Sequence, residues 1–538
     1  LKAQAILPTH GSWPAMKSPL LASALLASLA LCAGAVTLRG AGAGDAKRKA
    51  APAALLGDAT GAPLFPFFLA AGPNGSAVTV SMDHALGSLR VDGGASNGGI
   101  VRCSVFDSLA SSGWIKLVLR TRKSTRVPND VKMYAAGLAE GLVTASRLSE
   151  FRRNVDELAK RSETEPGALA AATAALRAGF EHVSERASLA GGSSMMEAPS
   201  DPYWRHLRLL LLQLWGLRDG FNAGAEERGD LPLGMVDLFL INSHSDLPEL
   251  LRAYAPSAVA RRAAAHRGQP PLGAAFDGNI SAATWQTLLR SRGRGSALVR
   301  QAPQGSNLLV GHTTWGEFSS LTRMFKYYDL DLPGAATTAG HVLGFSSYPG
   351  CLGSADHFYV LGSGLVVMGT GLVVLDDDRA YETLPPSSAA PAFLHVLAAN
   401  RLARSPGHWA GVFAGVPAGL GSMQWLVVDF SRFLVGHAAA EGTLWVVEQI
   451  SSVVHRADLT PTLNHKGYWA SDGRPYFEET RRRSGHAAAE ATMGAGFAWD
   501  GGPRAEMFGQ LAQGLGDLAA MRSAMVSTAS PAAVAAAA

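Results

Sequence analysis

Two nearby stretches, Gly293-Arg-Gly-Ser-Ala-Leu-Val-Arg300 and Asn307-Leu-Leu-Val-Gly-His-Thr-Thr-Trp315, decide how this chain is read. Ser296–Arg300 and Asn307–His312 are short apolar runs of the kind that form buried strands. Side chains alternate across a strand, so consecutive residues at its entry, Gly295 and Ser296, address opposite faces. Whatever chemistry depends on one of these positions is therefore not transferred to the other without a slip of register.

Working outward, the texture is mixed. Ala77–Ser81 and Trp114–Leu119 read as strands, and residues 131–154, 167–187 and 201–219 carry apolar residues at three- and four-residue spacing, the period of a helix. Asp201-Pro202 is a helix-start signal. Trp204, Leu207, Leu211, Leu214 and Trp215 then form one packed helix face. After Gly295 strands dominate: Phe358–Leu361, Gly364–Met368, Gln424–Asp429 and Thr443–Glu448, with a further helix over Ala389–Arg404. Strands clustered between helical segments predict an α+β chain built as a four-layer α/β/β/α sandwich. Two stacked, mainly antiparallel sheets account for the nearly continuous apolar strands.

Composition fits a large globular chain. Of 538 residues, 47% are hydrophobic and 17% charged, which excludes a disordered polymer. The net charge is +4, and Lys and Arg are scattered apart from Arg481-Arg482-Arg483 and Arg261-Arg262. No aromatic-interleaved basic stripe points to nucleic acid. Lys17 precedes an uncharged run from Pro19 to Val36, with small-residue cleavage sites at Ala33-Gly34-Ala35 and Ala41-Gly42-Ala43, the pattern of an export signal. The expected organisation is a signal peptide and start of a linker at 1–43, an Ala/Gly/Pro-rich linker at 44–75, one domain in two parts at 76–292 and 293–526, and an Ala-rich tail at 527–538.

Export gives meaning to three other features. Cys103 and Cys351 become a candidate pair, and Asn74 and Asn279, each in an Asn-x-Ser sequon, become candidate glycosylation sites. Cys103 followed by Ser104 is also a conceivable nucleophile, with structural burial as the alternative. His465 with His455, and His341 with His357, lack the grouping of metal ligands, so neither a metal nor an organic cofactor is implied.

Tyr134–Thr144, Tyr203-Trp204, Gly311-His-Thr-Thr-Trp315, Phe345–Gly350, Phe358–Leu365, Ala399–Ala403, Gln424-Trp425, Glu448-Gln449-Ile450, Tyr468–Ser471 and Gly502-Pro-Arg-Ala505 occur together in one order. In this the chain resembles the phospholipase B-like family of N-terminal-nucleophile (Ntn) hydrolases, collinearly from about residue 76 to 526. The resemblance implies the Ntn form of the sandwich and a self-processing chemistry. The chain is cut before a nucleophile whose freed α-amine then serves as base while its side chain attacks an amide or ester carbonyl.

Family members place Cys directly before Ser-Ala-Leu, where this chain has Gly295. Ser296 is the substitute nucleophile the sequence offers. By the same resemblance, His312 and Trp315 face the nucleophile, and Arg504 binds a substrate carboxylate or phosphate, with a structural ion pair as its alternative. Thr313 stands where relatives carry Asn, and Ser422-Met423 where they carry an Asn pair. Loss of one oxyanion donor costs on the order of 3 kcal/mol. Ala355 occupies a family Cys position. The implied function is hydrolysis of phospholipid or lysophospholipid acyl esters, or related acyl amides, in the secreted or lysosomal/vacuolar route. Its substrate is a lipid or other acyl compound, with peripheral membrane contact. The alternative is a catalytically inactive relative that binds lipid or a protein partner.

Overall fold

The computed structural model describes residues 77–526 except 84–86, 95, 97, 125, 190–197, 268–294, 334–337, 383–388 and 418, together with 2–3 and 67–69. The rest of the expected signal segment and linker, both sequons and the Ala-rich tail lie outside the described residues.

The strands form two sheets. In the smaller, Lys2–Ala3, Leu308–Thr314, Ser296–Gln301 and Tyr468–Ser471 are neighbours in that order, all antiparallel. The larger runs Val453–Asp458, Leu444–Ile450, Met423–Asp429, Leu365–Gly371, Phe358–Leu361, Val342–Ser347, Met324–Asp329, Trp114–Thr121, Val101–Ser108, Ala77–Asp83, Ser88–Gly93 and Phe67–Leu69. Parallel pairing occurs where Trp114–Thr121 meets Met324–Asp329 and where Phe67–Leu69 meets Ser88–Gly93; the sheet is mixed. With its helices the molecule is of the α+β class.

Strand alternation sorts the core. Ala297, Val299, Leu308 and Val310 of the small sheet pack with Phe358, Val366, Met368, Leu426 and Val446 of the large one. Leu298 and Leu309 turn the other way, onto Phe508, Met521 and Met525 of the helices Gly502–Gly514 and Leu518–Val526. Against the opposite face of the large sheet lie the helices Asn129–Ser162 and Pro202–Asn222, whose buried residues join Cys103, Leu117 and Val367 in one cluster.

Asp201 caps the second of these helices by accepting from the Tyr203 amide at 2.7 Å. The sequence predicts one packed face here. Instead Leu209, Leu210, Leu212 and Leu217 are also buried, because the helix lies between the Asn129–Ser162 and Ala392–Leu402 helices. Gly137 and Gly141 on the long helix meet Gly216 and Gly220 on its partner. A Cβ at any of the four would fall on backbone atoms of the facing helix. The helices touch main chain to main chain there, which glycine alone permits.

The candidate cysteine pair does not form: Cys103 and Cys351 are both free and buried. Cys351 Sγ is engaged at 3.4 Å by the Ile241 carbonyl, while Cys103 lies mid-strand between Val78 and Leu119. Burial pushes the Cys103 thiol well up, which argues for its structural role rather than for a nucleophile.

Candidate active site

Gly295 immediately precedes the Ser296–Gln301 strand and is buried, with a left-handed φ of +79°. A Cβ built on it would lie 3.5 Å from His312 Nε2 and 2.7 Å from the Thr313 carbonyl oxygen. A side chain at 295 is thus aimed at His312, but in this backbone conformation it is both strained and crowded.

Ser296 faces elsewhere. It is 7% exposed and paired with Thr313, whereas Ala297 is paired with His312. Because directly opposed residues share a face, Ser296 and Thr313 lie on the side of Leu298 and the C-terminal helices, and His312 lies between the sheets. The structure therefore does not bring Ser296 and His312 together.

His312 is 1% exposed. Its Nε2 bonds the Gly369 carbonyl at 2.9 Å, and since a carbonyl only accepts, this nitrogen carries the proton. Nδ1 then holds the free lone pair and, among the described residues, has no hydrogen-bond partner. Burial pushes the imidazole down to about 4, against the opposing effects of the Gly369 bond and the Asp356 charge. The ring is a neutral acceptor at physiological pH.

Trp315 follows the His312 strand. The Arg504 guanidinium sits 4.8 Å from its ring centroid, and Arg504 Nη1 donates to the Asp472 carbonyl at 3.1 Å. Burial lowers Arg504 below the usual guanidinium range, partly offset by Asp472. Arg474 Nη2 lies 3.8 Å from the Asp472 carboxylate. The structure thus joins Trp315 with Arg504 in a cation–π contact backed by a buried acid.

Gln424, Glu448 and Ser471, motif positions to which the sequence assigns no role, join Thr370 in one set. Ser471 is the sheet neighbour of Ala297, and the Ser471 and Thr370 hydroxyls meet across the two sheets at 2.5 Å. Thr370 neighbours Gln424, which neighbours Glu448, and Gln424 Nε2 donates to Glu448 Oε1 at 2.6 Å. Glu448 also accepts from the Tyr476 amide at 2.5 Å and the Phe477 amide at 3.1 Å. Burial pushes its carboxyl up to about 7, against the opposing effect of these donors. The result is a polar row that continues the apolar inter-sheet face, able to hold or release a proton near neutrality. Its signal in the sequence was positional: Thr370, Gln424 and Glu448 lie two residues from the inward-facing Met368, Leu426 and Val446.

Ser422 and Met423 turn toward the helices. Ser422 Oγ and N donate to Glu249 at 2.8 and 2.9 Å, and Met423 packs beside Gly369 on the side away from His312.

Residues 101–529 match the Phospholipase B family. The chain is 30% identical over 441 residues to human putative phospholipase B-like 2, covering 80% of this chain and 68% of that protein. It is 27% identical over 404 residues to human phospholipase B-like 1, covering 75% and 66%. The figure is also 27%, over 405 residues, for phospholipase-B 81 of Drysdalia coronoides, covering 75% and 68%. A family match over most of the chain, joined to 30% identity across two thirds of a relative, settles the grouping: the chain belongs to the phospholipase B family.

Proposed function

We propose that this protein handles phospholipid or lysophospholipid acyl esters, or related acyl amides, in the secreted or lysosomal route, as a hydrolase of phospholipase B type. The observation that carries the reading is His312. It is a buried, neutral imidazole on the strand beside residue 295, with its protonated Nε2 toward that residue and its unshared lone pair on Nδ1, in a chain of a family whose relatives are named for phospholipase activity. The packing of the two sheets, with helical clusters on both outer faces, supports the Ntn-type layering. In that scheme Trp315 and Arg504 border the substrate. Arg504 meets a carboxylate or phosphate group, and apolar walls hold the acyl chain.

Gly295 sets the condition on this reading. Glycine supplies no nucleophile, and Ser296 reaches His312 only if the strand entry slips by one residue. A second reading follows from that observation: a relative that retains the site and binds acyl lipid or a protein partner without cleaving it. The two are separated by purifying the full chain and measuring two things. Mass spectrometry detects backbone cleavage between Arg292 and Ser296, and chromatography detects fatty acid released from lysophosphatidylcholine and from an N-acyl amide. Cleavage with acid release supports the hydrolase. An intact chain that releases no acid leaves the binding reading.

A further inference from the structure

Most buried cations of this molecule are answered by a carboxylate. Lys132 lies 3.7 Å from Asp331, Arg208 2.8 Å from Asp130, Arg218 2.7 Å from Asp219, Lys326 2.6 Å from Glu140 and Arg474 3.8 Å from Asp472. Arg300, near the surface, donates instead to the Leu515 and Gly467 carbonyls. Arg401, on the Ala392–Leu402 helix, is 2% exposed and forms no ion pair among the described residues.

Its side chain is also short of acceptors. Nη2 donates to Gln213 Oε1 at 3.1 Å, across the contact with the Pro202–Asn222 helix, while Nε and Nη1 have no hydrogen-bond partner among the described residues. That bond fixes the Gln213 amide, so its Nε2 donor lies beside the guanidinium, and it too is without a partner there. Neighbouring titratable groups bring no negative charge. Burial pushes the Tyr328 hydroxyl well up, and it donates to Glu140 Oε2 at 2.5 Å, a carboxylate already matched by Lys326. Burial, and after it the Arg401 and Arg205 charges, pushes His206 down to about 3, which leaves that ring neutral. Arg401 itself is lowered by burial to about 10 and stays charged at neutral pH.

We propose that Arg401 and Gln213 hold a monatomic anion, chloride under physiological conditions, as the counter-ion between these two helices. A buried charge without an opposite partner is among the costliest arrangements in a protein interior, and native structures pair such charges. The open groups of Arg401 and Gln213 are all N–H donors. Water could accept from them but would have to place its own two protons, and it carries no charge; a halide only accepts. Arg401, Gln213, Tyr328 and His206 are each no more than 2% exposed, so the occupant is sealed from solvent and small. The ion ties the Pro202–Asn222 helix to the Ala392–Leu402 helix, independently of any hydrolysis.

The test has two arms on the full chain. The first follows the melting temperature as chloride replaces gluconate at constant ionic strength, and the second is anomalous diffraction from crystals grown in bromide. The expected result is a saturable rise of about 2 to 4 °C by about 100 mM chloride, with bromide acting alike. A bromide peak is expected within hydrogen-bond reach of Arg401 and Gln213 Nε2. Arg401→Met should abolish the rise and Gln213→Leu should reduce it, while Arg177→Met, at an exposed helix position, should leave it intact. Where Arg401→Met does not fold, Gln213→Leu and the bromide map of the unsubstituted chain decide. A flat titration, a rise that Arg401→Met retains, or a site holding water and no bromide overturns the proposal. So does a bromide peak without the saturable rise, which marks an adventitious ion only. Acyl release enters neither arm, so failure here and failure of the hydrolase reading are separate outcomes.

Discussion

His312 and His395 are both buried and both pushed down to about 4 by desolvation, yet they are wired differently. His395 is saturated. Its Nδ1 meets the Tyr203 hydroxyl at 2.7 Å, its Nε2 donates to the Phe413 carbonyl at 2.6 Å, and its ring lies against those of Tyr203 and Phe413. Among the described residues His312 has a hydrogen bond at Nε2 and none at Nδ1, and the site of a Cβ on residue 295 lies 3.5 Å from Nε2. Equal burial and equal basicity thus accompany opposite arrangements. A fully bonded histidine holds helices together, whereas His312 leaves Nδ1 unbonded among the described residues and turns Nε2 toward residue 295.

The largest expected effect breaks or sharpens this contrast at residue 295. Gly295→Cys should cut the chain into two fragments directly before residue 295, faster and more completely than any cleavage of the unsubstituted chain. Adding His312→Leu should lower the rate of that cleavage about a hundredfold or more, and adding His395→Leu should not. Time-resolved gel and mass analysis reads both. Equal rates in the two double variants would erase the distinction. The left-handed φ and the Thr313 carbonyl resist the new side chain, at a cost of about 1 to 3 kcal/mol of stability.

Acid should act on both histidines alike. Above the unfolded value of about 6.5 their contribution is full. As pH falls from there to about 4 the unfolded chain takes up protons that the folded one refuses, and each histidine forfeits about 3 kcal/mol. His206 and His486, pushed down to about 3, add in the same sense. Glu448 opposes them: with its carboxyl pushed up to about 7, its contribution is full below the unfolded value and lost as pH rises through 7. Four imidazoles outweigh one carboxyl, so the melting temperature should drop on acidification from pH 7 to 4.5. Glu448→Gln should steepen the drop. A flat profile would mean that the histidines are not held neutral.

The smallest effect is a difference of stabilities. His395→Leu strands the Tyr203 hydroxyl and the Phe413 carbonyl and should cost about 2 to 3 kcal/mol, whereas His312→Leu strands only the Gly369 carbonyl and should cost about 1 kcal/mol. Urea titration measures both. A larger loss at His312 would reassign it to the scaffold.

Much of this was legible before any coordinates, for a local reason. Residue alternation along Ser296–Gln301 already set Gly295 and Ser296 on different faces, and His312 and Trp315 could be named from their short motif. What stayed hidden depends on contacts between distant segments. The Ser471–Thr370 contact joins residues 101 positions apart in different sheets, and nothing local announces it. The all-round burial of Pro202–Asn222 follows from which helices surround it, not from its own period. Cys103 and Cys351 looked pairable because the sequence counts thiols without locating them.

The interlocked glycines of the two central helices have a mechanical consequence. Two cylinders meshed backbone against backbone have no side-chain cushion to shear, so that half of the molecule acts as an anvil. Any yielding needed to admit a larger group beside His312 must come from across the small sheet. There Gly311 rests on Met521 and Met525, whose pliable thioethers can be displaced at low cost.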